Sequence, residues 1–166
     1  MEPPIESVVV VGYGVMGAGI VRSFVSAGFR VAVVSGRAAR LRDLPGGVTV
    51  SADLPAAAPD LVIETVAEDA GAKRAVYRGV EAAYPAATVI GTNTSGLPLE
   101  MLADGLSHPE RFVGVHWFHP ADVFPMVEVV AGPAASPATV AARRLTTATR
   151  KPALVNDRTM PAPITP

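Results

Sequence analysis

The sequence predicts one α/β domain, Rossmann-like, with a doubly wound and mostly parallel sheet. Three observations carry that expectation. Short β-branched runs alternate with helical patterns at the spacing of βαβ units. The runs are continuously apolar rather than alternating, as in strands covered on both faces. The first run, VVVV at 8–11, passes directly into Gly12-Tyr13-Gly14-Val15-Met16-Gly17 and then into an apolar helical pattern. With 166 residues, 49% of them hydrophobic, the chain can bury one real core but not two.

Taken in order, residues 5–11 form the first strand. Residues 16–27 form a helix, with Met16, Ile20, Phe24 and Ala27 recurring on one face and Gly28 ending it. The second strand is 30–34, closed by the turn Ser35-Gly36-Arg37. A short basic segment, 38–44, stops at Pro45-Gly46-Gly47, and 48–51 is a short third strand. The alanine- and proline-rich stretch 52–59 reads as a loop. Residues 60–65 are the fourth strand. Residues 70–84 are a helix whose inner face carries Val76, Tyr77, Val80 and Tyr84, closed by Pro85. Residues 87–92 are the fifth strand, and Asn93-Thr94-Ser95-Gly96 is the loop beyond it. A short helix at 98–106, strands at 111–116 and 126–130, a helix at 136–149 and a last short strand at 153–155 complete a domain spanning 1–157. The tail 158–166 is expected to be disordered.

Composition narrows the function classes. A net charge of −1 with 17% charged residues gives no support to nucleic-acid binding. With no cysteine there is no disulfide framework, thiolate nucleophile or thiolate zinc site. No apolar run approaches the ~20 residues of a membrane span, and MEPPIESV lacks the basic and apolar regions of a secretory leader. A cytoplasmic protein is expected.

The segment at 12–17 fits G-x-G-x-x-G, and each glycine has a mechanical reason. Gly12 permits the tight turn off the strand, Gly14 lets a pyrophosphate approach the backbone, and Gly17 lets helix and sheet pack closely. The free N–H groups and dipole of the following helix favour a bound phosphate. Ligands of such sheets lie beyond the carboxyl ends of the strands. Gly12–Gly17, Ser35, Glu64 to Glu68, Asn93 to Ser95 and His116 all fall at such ends, which points to one shared site.

Five segments in order, VVGYGVMGAGI, VIETVAED, TNTSGLP, RFVGVHWFHP and MVEVV, resemble the nucleotide-binding domain of 3-hydroxyacyl-CoA dehydrogenases over roughly residues 5 to 157. The resemblance implies hydride transfer between a 3-hydroxyacyl (or 3-oxoacyl) thioester and a nicotinamide, in fatty acid metabolism. It makes His116 the base for the hydroxyl proton, Glu128 the carboxylate that orients the imidazole, and Ser95 a hydrogen-bond partner of the substrate oxygen. Histidine suits reversible proton transfer because its ordinary titration falls near neutrality. By the same matching Glu68 and Lys73 line the cofactor side, and with Gly12, Tyr13, Gly14, Val15, Met16 and Gly17 of the glycine turn and Ser35 and Arg37 after the second strand they are the candidate cofactor-binding residues. Structural readings stand beside these roles. Glu128 could be an outward residue of an edge strand, Ser95 a helix cap, and Glu68 with Lys73 a solvated helix start. His116 and His119 are three apart but lack an obvious third ligand, so no metal is expected.

The sequence departs from the family pattern at four places. Ser35 stands where an aspartate holds the adenosine ribose, and Arg37, Arg40 and Arg42 follow, so the cofactor is NAD or NADP. Residues 35–60 are too few, and too rich in proline and glycine, for the helical hairpin that contacts coenzyme A. The acyl group is therefore carried by coenzyme A or by a carrier protein. His119 replaces the asparagine of the family's N-P pair. No helical domain follows residue 157, which leaves the cleft to be completed by a homodimer or a partner subunit. The alternative is an NAD(P)-binding partner subunit or sensor with little turnover; a remnant without function is the third reading.

Overall fold

The computed structural model describes residues 5–124, 126–134 and, as backbone, 153–156. The helix expected at 136–149 and the tail 158–166 lie outside them.

One sheet of eight strands runs through the molecule in the order β3-β2-β1-β4-β5-β6-β7-β8. Its strands are β1 (Ser7–Val11), β2 (Arg30–Val34), β3 (Thr49–Ser51), β4 (Leu61–Glu64), β5 (Val89–Thr92), β6 (Phe112–Trp117), β7 (Val127–Ala131) and β8 (Ala153–Asn156). Neighbours are parallel except β6 and β7, which are antiparallel. The order reverses between β1 and β4, so the connections diverge there and open a crevice at the carboxyl ends of the strands.

Among the described residues three α-helices cover the sheet: α1 (Val15–Ser26), α2 (Ala70–Ala83) and α3 (Leu99–Ala103). Alternate residues of β1 feed the two cores. Val8 and Val10 pack with Ile20 and Phe24 of α1, whereas Val9 and Val11 pack with Tyr77 and Val80 of α2. Burial on both faces is the physical reason that the strand reads VVVV instead of alternating.

Helix α1 is buried more widely than its single predicted stripe. Gly19 and Ser23 are buried as well as Ile20 and Phe24. Residues 121–122, between β6 and β7, lie against the helix's second side. A Cβ on Gly19 would sit 3.0 Å from that of Ala121. The Ser23 hydroxyl donates to the Ala121 carbonyl (3.1 Å), and Arg22 pairs with Asp122 at 2.6 Å.

Between β2 and β4 the chain is brief. Residues 35–60 hold one 3-10 turn, Ala38–Arg40, and the three-residue β3, with no α-helix. No helical hairpin follows β2, as the length and composition of this stretch require. Among the described residues no helix is long and apolar enough to cross a membrane.

Candidate active site and dinucleotide cradle

The glycine turn sits at the switch in strand order. Gly12 has φ of +101°, a left-handed conformation that side chains rarely adopt, and a Cβ there would lie 2.8 Å from the Thr65 carbonyl oxygen. A Cβ on Gly17 would run into the Gly12 carbonyl, so helix and turn touch backbone to backbone. Gly14 differs: it precedes the first turn of α1, is exposed, and has nothing within 4 Å of where a Cβ would be. Its surroundings are open where a diphosphate must come close to backbone N–H groups. Exposed Val15 and half-buried Met16 flank the opening. Tyr13 is half-buried; burial raises its phenol, and the nearby Asp43 charge adds to the rise. These residues fit a dinucleotide.

Three side chains from distant parts of the chain meet at the ends of β5, β6 and β7. His116 and Glu128 are register partners in the antiparallel pair, which puts both on one face. His116 Nδ1 lies 3.3 Å from Glu128 Oε2, and His116 Nε2 lies 3.1 Å from Ser95 Oγ. A carboxylate only accepts, so the geometry favours the tautomer with the proton on Nδ1 and a lone pair on Nε2. The His116 side chain is 22% exposed and that of Glu128 30%, so the centre is open to solvent on one side. A cavity of about 60 Å³ lies against Ser95, His116 and Glu128, with Leu99 and Val130 in its wall. The His116 ring also packs on Phe118 (centroids 4.7 Å apart), which packs on Phe124.

Two supports hold this arrangement. Asn93 Oδ1 accepts from the Trp117 backbone N–H at 2.8 Å, pinning the loop after β5 to the end of β6. Glu68 gathers the Ser95 loop. Its Oε1 accepts from the Thr94 hydroxyl (2.5 Å), the Ser95 N–H (2.9 Å) and the Gly96 N–H (3.2 Å). Ser95 is not the cap of α3, because the turn is closed by Thr94 Oγ1 accepting from the Leu97 N–H.

Behind Glu68 lies an ion pair that the sequence does not announce. Lys73 and Glu64 have no exposed side-chain surface, and the Lys73 ammonium donates to both Glu64 oxygens at 2.9 and 3.1 Å. Tyr77 and Thr92 hydroxyls and the Val66 N–H also donate to Glu64. Lys73 reaches Glu68 Oε2 at 3.2 Å. Lys73 is thus not part of a solvated helix start. It links a buried carboxylate to the one that holds the Ser95 loop.

Burial would raise the Glu68 carboxyl, but the hydrogen bonds from Thr94, Ser95 and Gly96 and the Lys73 charge outweigh it and hold the group low. A depressed carboxyl stabilises the fold above its unfolded value and loses that contribution as pH falls through the folded one. The stability gap between the wild type and Glu68→Gln should therefore be full at neutral pH. It should close as pH drops below the ordinary glutamate value of 4.5. Urea midpoints across that range measure it, and a gap that persists in acid would contradict this account.

Ser35 ends β2 beside the glycine turn, where the Gly12 N–H donates to the Val34 carbonyl at 2.9 Å. Arg37 follows, exposed. Among the described residues no three histidine, aspartate or glutamate side chains gather as a metal site, and His119 is exposed.

Comparison with known proteins agrees with this geometry. Residues 7–53 and 36–158 match the family described as 3-hydroxyacyl-CoA dehydrogenase, NAD binding domain. The two matches overlap within the shortened connection after β2. The chain is 35% identical over 158 residues to the peroxisomal bifunctional enzyme of Danio rerio, covering 82% of this chain and 22% of that one. It is 32% identical to the 3-hydroxyadipyl-CoA dehydrogenase of Escherichia coli, covering 77% of this chain and 32% of that one. Among solved structures, 3-hydroxybutyryl-CoA dehydrogenase from Escherichia coli superposes with a TM-score of 0.81 at 29% identity, over 92% of this chain and 38% of that one. A 5-formyl-3-hydroxy-2-methylpyridine 4-carboxylic acid 5-dehydrogenase, described as an NAD+ dependent dismutase, gives 0.85 at 28% identity, over 96% and 60%. The chain thus spans about a third or less of the curated relatives' length. With the fold, the glycine turn and the matched residues in agreement, the chain belongs to the 3-hydroxyacyl-CoA dehydrogenase family, to its NAD-binding domain.

Proposed function

We propose that this domain catalyses reversible hydride transfer between a 3-hydroxyacyl thioester and a nicotinamide dinucleotide. The observation that carries the reading is the Ser95–His116–Glu128 relay, facing the same sheet end as the glycine turn. A nicotinamide held at the glycine turn would supply the hydride acceptor for the carbon that bears the hydroxyl.

His116 Nε2 takes the hydroxyl proton as the C–H bond breaks, and returns it in the reverse direction. Glu128 accepts from Nδ1 in both states and stabilises the imidazolium that forms, as a positioning residue. Ser95 Oγ lies within hydrogen-bond reach of Nε2 and holds the substrate oxygen in line with that lone pair. Glu68, braced by Lys73, fixes the loop that carries Ser95. Gly12–Gly17, Val15 and Met16 bind the diphosphate, with Ser35 and Arg37 at the ribose end.

The acyl group is borne by coenzyme A or by a carrier protein. The missing helical hairpin removes one surface for coenzyme A and favours recognition centred on the thioester itself. A second copy or a partner subunit would cover the exposed side of His116 and exclude water.

The test is to mix the chain with a short 3-oxoacyl thioester and each reduced nicotinamide, and follow nicotinamide absorbance. Turnover that needs both substrates supports the proposal. Dinucleotide binding without turnover would reduce the chain to a nucleotide-binding subunit.

A further inference from the structure

We propose that this site selects the dinucleotide carrying a 2′-phosphate, NADP(H), over NAD(H), and that Ser35 and Arg37 make the selection. The inference rests on the dinucleotide-binding reading of the glycine turn. In such folds an acidic side chain about 20 residues beyond the glycines takes the ribose 2′-hydroxyl, whereas a nearby arginine accommodates a 2′-phosphate. Here the end of β2 carries Ser35, and no acid occupies it.

At this point the groups open to an anion are side chains, because the backbone N–H groups of Ser35, Arg37, Ala38 and Arg40 are already spent. Ser35 N–H is already used, donating to the Ser51 carbonyl at 3.0 Å. Its hydroxyl accepts from the Arg37 N–H at 3.2 Å, which leaves the O–H free to donate outward. The turn continues with Ala38 N–H to Ser35 O and Arg40 N–H to Arg37 O, folding 35–40 into a compact knuckle. Arg37 and Arg40 are both exposed on it, and neither pairs with a carboxylate among the described residues. Arg42 differs, because its guanidinium is spent on the Ala39 and Leu41 carbonyls. Two exposed arginines therefore share this turn with a hydroxyl that can still donate.

An adenine has a place next to them. A cleft of about 460 Å³ opens between the ends of β1 and β2 and helix α2, lined by Val11, Val34, Leu54 and Val76, with Asp53 at its wall as well. A purine seated there brings its ribose to the end of β2. A 2′-phosphate then meets the Ser35 hydroxyl and the guanidinium groups, whose charge-assisted bonds a bare hydroxyl cannot match. Two acids in this stretch could serve a ribose instead: Asp43, near Tyr13, and Asp53 in the wall of the cleft.

The experiment is a fluorescence titration of the 166-residue chain with NADPH and with NADH, repeated with 2′,5′-ADP and 5′-AMP as competitors. NADPH should bind about tenfold tighter or better, the size expected for one or two hydrogen bonds to a charged group. The preference should shrink as salt rises, and 2′,5′-ADP should compete where 5′-AMP does not. Arg37→Ala should weaken NADPH binding about tenfold more than it weakens NADH binding and so erase the preference, and Ser35→Asp should reverse it. Equal binding, or tighter NADH binding, would overturn this selection and leave the dinucleotide site standing, and loss of that NADH binding in Asp43→Asn or Asp53→Asn would name the acid that holds the ribose. Failure of both nicotinamides to bind would overturn the dinucleotide site and the selection together.

Discussion

Replacing His116 with alanine should lower the turnover of a 3-hydroxyacyl thioester by about 10²–10⁴-fold, the usual worth of a general base. Nicotinamide affinity should not change, because His116 lies at the end of β6 and the glycine turn follows β1, with β4 and β5 between them. The split is what makes the measurement informative. A base acts in the transition state, so kcat and kcat/KM fall together. The urea midpoint should move little, since the side chain is partly exposed and fills no core position. Unchanged turnover in a variant that binds cofactor normally would remove His116 from the chemistry, and the Ser95–His116–Glu128 relay would become a purely structural contact.

The largest expected effect on stability lies at Lys73. Lys73→Met keeps most of the side-chain volume but leaves Glu64 buried without its cation, which costs about 3–5 kcal/mol in comparable pairs. Tyr77 and Thr92 still donate to Glu64, but neutral donors do not cancel a charge. The double variant Lys73→Met with Glu64→Gln should recover much of the loss, because a neutral amide can still accept from those hydroxyls. Denaturant unfolding of the two variants and the wild type decides the matter. A single variant within about 1 kcal/mol of the wild type would mean that Glu64 takes up a proton or water reaches it. The same variant should loosen the Ser95 loop, since Lys73 also braces Glu68.

These two sites differ in how far the amino-acid order discloses them. The strands of the parallel sheet are legible because burial on both faces enforces unbroken β-branched runs. The glycine turn is legible because three separate steric demands fall at fixed spacing. His116 and Glu128 can be paired once β6 and β7 are seen as neighbours, a fact of register and not of local pattern. Lys73 is the opposite case. A lysine four residues beyond the helix-capping Asp69 has the look of a solvated first turn, yet it is wholly buried. Only the meeting of β4 with α2 creates its partner, and helical periodicity alone gives no sign of it. The second buried side of α1 escaped for a related reason: glycine and serine carry no hydrophobic signal, and their burial depends on a loop a hundred residues away. Asn93 lay inside the loop marked for function, but its use as a clasp on Trp117 needs the sheet to be assembled.

Helix α1 serves two masters. Its first turn abuts the opening at Gly14, while its flank at Gly19, Arg22 and Ser23 clasps the segment that brings Phe124 and Phe118 toward His116. Sequence freedom on that helix is narrower than its place on the outside of the sheet suggests, because a change on its flank reaches both the glycine turn and the segment beside His116. A library that varies residues 19, 22 and 23 alone would return mostly variants altered at both places, and separating the two would require varying residues 121 and 122 together with them.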